Sequence, residues 1–227
     1  MRAIVAVAML AVAAPAFADP LQDRVLAGMR GVDTADVGYT DVTTVERTGA
    51  AAQEFVVRYD PRGPAGKRWT VLRVDGRAPT PKETANMLKA ANGTPLPAYA
   101  KLAKWFGGPA TRVAPTAGSV TFRFARLPAG TVKMGSHDAS ADTVADAVVN
   151  TSGPAPFVER VHFSSAKPFR MMLVAKVERY DFFSAYALLP DGRPFPAGTG
   201  GDMAGSLMGK AGMFKTRTRY TDAHAVR

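Results

Sequence analysis

Short segments of alternating apolar and polar residues recur along the chain, and they constrain its fold more than any other feature. Clear examples are residues 36–48, 51–60, 67–76, 119–127 and 211–222. Turn residues such as Asp75-Gly76 and Asp191-Gly192 separate neighbouring segments. A period of two is typical of strands that bury one face, and close spacing favours antiparallel neighbours. The sequence therefore predicts a continuous antiparallel sheet.

Paired signals for a helix start and a helix end appear at two places outside these segments. Asp19-Pro20 is typical of a helix start, and Gly31 is typical of the end of that short amphipathic helix. Further along, Thr80 and Glu83 form a capping box, and Gly93 follows the last helical residue. We therefore expect one helix at the start of the mature chain and another near its middle.

A second helical stretch, residues 97–108, follows the central helix before the alternating pattern returns. The two central helices form an insert at about residues 81–106. The order of elements predicts an α+β fold, with one antiparallel sheet, an N-terminal helix and a helical insert between strands. No repeat or long linker divides residues 19–227, so we expect a single domain.

Residues 1–18 have the composition of a secretory signal peptide. Arg2 precedes an apolar run, and Ala16-Phe17-Ala18 matches a small-residue cleavage site. The run is shorter than the roughly 20 residues of a membrane-spanning helix. We therefore expect cleavage after Ala18 and a soluble periplasmic protein. The chain has no cysteine, which excludes a disulfide framework and a lipid-modified N-terminal cysteine.

The chain is strongly basic, with a formal net charge of +10 that falls to +9 when Arg2 is removed with the signal peptide. Such a charge favours anionic partners, and an anionic membrane surface is one of them. Nucleic acid is not an expected partner of an exported protein. An ordinary solvated surface that keeps the protein soluble explains the charge equally well.

Residues 205–212, GSLMGKAG, resemble a phosphate-binding loop at first sight. The spacing between Gly205 and Gly209 is one residue too short, and Ala211 stands where a hydroxyl residue is needed. The following residues alternate like a strand rather than a helix. We therefore predict no nucleotide site, and interpret the glycine-rich residues 198–212 as a connection into the last strand.

His137 and Asp138, with Ser136 and Ser140 close by, are the only residues that suggest a hydrolase. The chain contains no G-x-S-x-G turn to hold a nucleophilic serine. The spacing of Asp138, Asp142 and Asp146 suits a metal-binding helix face, but the region lacks helical periodicity. A polar surface loop is the simpler interpretation, and we predict no catalytic residue, metal ligand or cofactor.

The quoted segments and their order resemble the periplasmic lipoprotein-carrier family, the Lol carriers and their relatives. The shared features are the signal peptide, the first helix, an opening hairpin, the helical insert and a closing meander, with a DGR turn at 75–77 repeated at 191–193. The resemblance implies an incomplete, curved β-barrel covered by a helical lid, with an apolar cavity for acyl chains and no catalytic residues. The missing cysteine matches the soluble shuttle rather than the anchored acceptor.

An arginine on an early strand of these carriers is linked to ligand release, and the resemblance makes Arg58 its nearest counterpart. Periodicity supplies the candidate residues that line the cavity. They are Phe55, Val57, Trp69, Leu88, Leu102, Trp105, Phe106, Phe122 and Phe124. On the sequence alone, an ordinary filled core is the simpler explanation of the same residues.

Three functional hypotheses remain open at this point. The first is a non-enzymatic protein that binds a lipid, a lipoprotein or another amphiphile beneath the helical lid. The second is an envelope interaction or structural protein with a filled core and a basic docking face. The third and weakest is a hydrolase that uses His137, Asp138 and a nearby serine.

Overall fold

The computed structural model describes residues 19–93, 96–172 and 175–226. The predicted signal peptide, residues 1–18, lies outside the described residues and stays a prediction. No helix among the described residues is long and apolar enough to cross a membrane.

The described residues form three short α-helices. They are α1 (Pro20–Arg30), α2 (Pro81–Gly93) and α3 (Ala103–Phe106). The carboxylate of Asp19 accepts hydrogen bonds from the first backbone N–H groups of α1, and the expected capping box forms between Thr80 and Glu83. Arg77 also binds the Glu83 carboxylate and, with Thr80, lowers its pKa to about 2. The two predicted helix starts are therefore confirmed.

The expected second helix of the insert is shorter than predicted. A turn of 3-10 helix, Tyr99–Leu102, leads directly into α3. Tyr99, Leu102 and Phe106 are all buried, as their spacing predicts, and Trp105 is buried beside them.

Thirteen strands make up most of the remaining described residues. They are β1 (Val37–Arg47), β2 (Gln53–Tyr59), β3 (Trp69–Val74), β4 (Thr111–Arg112), β5 (Ser119–Phe124), β6 (Lys133–Met134), β7 (His137–Asp138), β8 (Thr143–Asn150), β9 (Phe157–Ser165), β10 (Phe169–Met172), β11 (Ala175–Leu188), β12 (Pro194–Leu207) and β13 (Lys210–Ala225).

Eleven strands belong to one antiparallel sheet, and β6 and β7 form a separate hairpin. The order across the large sheet is β3-β2-β1-β13-β12-β11-β9-β8-β5-β4, with β10 paired to β11. The sheet is open, because β3 and β4 lie at its two edges. The last strand lies inside the sheet, where it joins the opening hairpin to the later strands.

The interpretation of residues 198–212 as a connection is wrong for most of that range. Residues Pro194–Leu207 form β12, which pairs with β11 on one side and β13 on the other. Glycine is needed here because it has no Cβ, and a Cβ on Gly200 or Gly201 would collide with a phenylalanine ring of β11. Only Met208 and Gly209 form the turn, both with positive φ as a two-residue hairpin requires.

The largest apolar core lies at the β5-β8-β9 end of the sheet, beneath α1 and α3. Val25 and Met29 of α1 are almost fully buried in it. Gln22 holds the two helical segments together, because its side-chain amide donates to the backbone carbonyls of Phe106 (2.5 Å) and Gly108 (2.8 Å). This end of the molecule is therefore solidly packed.

Candidate functional site

A cavity of about 330 Å³ lies between α2 and one face of the sheet. Strands β1, β2, β3, β12 and β13 supply its floor, and the helical side is apolar. The floor residues are Tyr39, Asp41, Thr43, Phe55, Val57, Trp69, Thr199, Thr216, Thr218 and Tyr220. The residues on the helical side are Met87, Ala90, Ala91 and Leu96.

Strand register explains why these floor residues meet. Side chains directly opposite each other on antiparallel strands lie on the same face. Asp41 of β1 is opposite Val57 of β2 on one side and Tyr220 of β13 on the other. Thr43 is likewise opposite Phe55 and Thr218 in the next row. The floor around Asp41 and Thr43 therefore consists of rows of cross-strand neighbours.

Asp41 is the one carboxyl group among the described residues that line the cavity. Its Oδ1 accepts a hydrogen bond of 2.6 Å from the hydroxyl of Thr43, which also shares a 2.7 Å bond with Thr218. Burial raises the pKa of Asp41, and the Thr43 hydrogen bond offsets part of that rise. The carboxyl group therefore lies in a less polar environment than water.

Aromatic rings line the cavity next to this carboxyl group, since Tyr39 is two residues before Asp41 on β1 and Tyr220 lies opposite it on β13. The Tyr39 ring centre lies 5.6 Å from that of Tyr220 and 5.9 Å from that of Trp69, both in edge-on geometry. Tyr59 packs on Trp69 at 4.8 Å. Burial raises the pKa of Tyr220 to about 12, so its hydroxyl stays neutral at physiological pH.

The nine predicted lining residues lie in three different environments. Phe55, Val57 and Trp69 do line this cavity. Leu88 is a half-buried residue of α2 but is not one of the lining residues. The residues predicted from the sequence did not include others that line the cavity, above all Asp41. Alternation along β1 places Asp41 on the same face as Tyr39, and this pattern was the signal that could have identified it.

The other five predicted lining residues belong to the packed core at the far end of the sheet. They are Leu102, Trp105, Phe106, Phe122 and Phe124. Trp105 stacks edge-on against Phe124 with ring centres 5.0 Å apart. Leu102 and Trp105 also border an outer surface pocket. None of the five contributes to the cavity beneath α2.

Arg58 lies on the other face of β2, since it neighbours Val57 in a strand where side chains alternate. It is exposed and borders a separate surface pocket with Asp60, Arg62 and His224. The structure therefore places Arg58 away from the cavity beneath α2.

The β12–β13 hairpin carries a second apolar surface, which we call the tip surface. Leu207 and Met208 at its turn are 58% and 77% exposed, and Met213 is also exposed. They adjoin a groove of about 290 Å³ that Arg47 and Lys176 help to line. The tip surface also includes Lys210. Apolar side chains and basic groups are therefore exposed together at this end of the sheet.

The residues around His137 are arranged differently from a catalytic relay. Ser140 donates its hydroxyl hydrogen to Asp138 at 2.5 Å, not to the histidine. The His137 ring stacks on Phe169, and its buried Nε2 has no hydrogen-bond partner among the described residues. No group of three or more metal-binding side chains occurs within the ranges that the structure describes.

No protein-family model matches this chain, and no curated protein matches it. Its function is therefore inferred from the geometry of the cavity and of the tip surface.

Proposed function

We propose that this protein binds an amphiphilic molecule in the cavity beneath α2 and carries out no chemistry on it. In this proposal the open sheet is a curved, incomplete barrel, and α2 is the lid over its mouth. The cavity itself is the observation that carries the proposal. Its volume of about 330 Å³ falls at the lower end of the range typical of small-molecule sites.

The chemistry of the cavity suits an amphiphile because its two sides differ. Met87 and Leu96 supply an apolar wall, and methionine adapts well to flexible chains. Threonine hydroxyls and Asp41 supply polar atoms on the floor. A ligand with an apolar tail and a polar head satisfies both, and burial of the tail contributes about 25 cal/mol per Å² of apolar surface.

Membership of the lipoprotein-carrier family and export to the periplasm remain part of the same proposal. The open antiparallel sheet with an N-terminal helix supports it, since that is the architecture the resemblance implies. Because the β5-β8-β9 end of the sheet is packed, we place the ligand only at the α2 end, in contact with residues such as Phe55, Val57 and Trp69.

The proposal is tested with a neutral probe, decanol, kept below its solubility limit. Isothermal titration calorimetry with the wild-type protein should give saturable binding at one site. Ala91→Trp places a bulky ring in the cavity and should abolish that binding. Ala85→Trp is the matched control, because Ala85 lies on the same helix, is exposed, and does not line the cavity.

Equal binding by both tryptophan variants would contradict this site, and no saturable binding by the wild-type protein would contradict the proposed function. Lipid extraction from protein purified from the cell envelope is a complementary measurement. It should recover an amphiphile from the wild-type protein and much less from Ala91→Trp.

A second function, contact with an anionic membrane surface, is favoured by the tip surface. Leu207 and Met208 protrude at the hairpin turn, and Arg47, Lys176 and Lys210 lie near them. Apolar side chains that enter the headgroup region, with basic residues that attract anionic lipids, are a common arrangement in peripheral binding. This arrangement supports the anionic membrane surface as a partner.

Sedimentation with vesicles of phosphatidylglycerol and phosphatidylcholine tests the membrane contact. The double variant Leu207→Asp and Met208→Asp should bind about tenfold more weakly or worse, since two apolar side chains no longer enter the lipid. Leu188→Asp is the matched control, because Leu188 is 51% exposed at the opposite end of β11. An unchanged affinity of the double variant, or an equal loss in Leu188→Asp, would contradict the assignment.

A further inference from the structure

The position of Asp41 in the cavity is unusual for a strand residue. Aspartate is depleted in strands, and a carboxylate taken out of water without a cationic partner is costly. Among the described residues that line the cavity there is no lysine, arginine or histidine. The one hydrogen bond described for its carboxylate comes from the neutral hydroxyl of Thr43. Within the part of the chain that the structure describes, the Asp41 carboxyl group therefore has no cationic partner in the cavity.

The hydroxyl groups next to Asp41 extend its capacity for hydrogen bonding. Thr43 and Thr218 are linked by a 2.7 Å hydrogen bond, and Thr43 donates to Oδ1 of Asp41. Threonine oxygen atoms retain lone pairs that can accept a further donor. A group that carries several N–H donors would find acceptors at Oδ2 of Asp41 and at these hydroxyls.

The aromatic side chains of the floor favour the same kind of group. Tyr39, Trp69 and Tyr220 all line the cavity, and Tyr39 and Tyr220 flank Asp41 along β1 and across to β13. The faces of aromatic rings attract ammonium groups, and aromatic enclosures recognise such ligands in many proteins. The carboxylate and the aromatic rings therefore both favour a ligand with an ammonium group.

We propose that the cavity beneath α2 recognises an ammonium group attached to an apolar tail, with Asp41 as its counter-ion. The tail lies against Met87 and Leu96, and the head group lies on the floor between Asp41 and the rings of Tyr39 and Tyr220. This inference rests on the proposed function and specifies its ligand class.

The positive net charge of the protein does not oppose this assignment. Exposed charges are screened over about 8 Å at physiological ionic strength, whereas a partner inside the cavity is screened much less. The basic residues lie outside the lining. The local charge of the cavity and the overall charge of the surface therefore select different partners.

A series of probes with the same tail and different head groups tests the inference on the wild-type protein. Decylammonium and decanoate are titrated by calorimetry below their critical micelle concentrations, and decanol below its solubility limit. Decylammonium should bind roughly tenfold to a hundredfold more tightly than decanol, the range of one charge-assisted hydrogen bond. Decanoate should bind most weakly, because its carboxylate would face that of Asp41.

The variant Asp41→Asn removes the charge and keeps the shape of the side chain. It should lose the preference for decylammonium over decanol, so that the ratio of the two affinities falls towards one. Glu46→Gln is the matched control, since it removes one negative charge from the exposed end of the same strand, outside the cavity. Thermal unfolding of both variants checks that they are folded.

The outcomes separate this inference from the proposed function. Equal affinity of the wild-type protein for the three probes overturns the role of Asp41 and leaves amphiphile binding intact. Equal loss of decylammonium binding in Asp41→Asn and Glu46→Gln also overturns it, because the effect would then come from net charge. Failure of all three probes to bind overturns both.

Discussion

Removing a phenylalanine ring should have different effects at the two ends of the sheet. Phe106 is fully buried in the packed core, with ring centres of Phe122 and Phe124 at 5.9 and 5.5 Å. Phe55 is half-buried and faces a cavity that already exists. The substitutions Phe106→Ala and Phe55→Ala remove the same atoms, so their comparison isolates the effect of packing.

The magnitudes follow from these environments. Phe106→Ala loses the full transfer free energy and leaves a new void, which together cost about 3–5 kcal/mol of unfolding free energy. Phe55→Ala only enlarges an existing space, and its half-buried ring contributes about 1 kcal/mol. The first variant should therefore be destabilised at least about twice as much as the second.

Urea denaturation followed by circular dichroism measures both free energies of unfolding. A shift of the midpoint at constant slope indicates a loss of stability rather than a change in the unfolded state. Equal losses in the two variants, or a larger loss in Phe55→Ala, would refute the description of one packed end and one open end.

Three further predictions concern individual side chains. Burial raises the folded-state pKa of Asp41 above its unfolded value of about 3.9, so stability falls as pH rises between the two values. Asp41→Asn should therefore unfold at a higher temperature than the wild-type protein at neutral pH, and the difference between the two unfolding temperatures should shrink in acid. An unfolding temperature of Asp41→Asn below that of the wild-type protein at neutral pH would contradict this. Gln22→Leu leaves two backbone carbonyls without their donor and should cost about 1–3 kcal/mol in urea denaturation, whereas a neutral effect would show that the bonds do not hold the helices together. Gly205→Ala would push a Cβ into the backbone of β11 and should lower the free energy of unfolding by about 1–3 kcal/mol. Gly212 lies directly opposite on β13 with open space around it, so Gly212→Ala should change the free energy of unfolding by less than about 0.5 kcal/mol. Equal effects of the two substitutions would refute the close approach of Gly205 to β11.

Local patterns predicted the helix starts and most strands because their signals lie within a few residues of each other. The Asp19 cap, the Thr80 and Glu83 capping box and the alternation in β1 each follow from such short-range rules. Strand β12 was missed because its glycines weaken the strand pattern. Those glycines are needed for contact with the rings of β11, which lie in a different segment of the chain.

The cavity was only partly predictable, because its composition depends on strand order. Phe55 of β2 and Phe122 of β5 have similar neighbouring residues in the sequence. In the sheet, however, β2 lies beside β1, and β13 and four further strands separate β1 from β5. No local rule places the last strand beside the first. Asp41 was missed for another reason, since a search for apolar lining residues passes over a carboxylate on the same face.

A crystal structure of the protein grown with decylammonium tests ligand recognition beneath α2 most directly. We predict the ligand nitrogen within hydrogen-bonding distance of Asp41 and its chain between α2 and the sheet, against Met87 and Leu96. A ligand bound only in the groove beside Leu207, or only at the outer pocket beside Trp105, would show that the cavity beneath α2 is not the binding site.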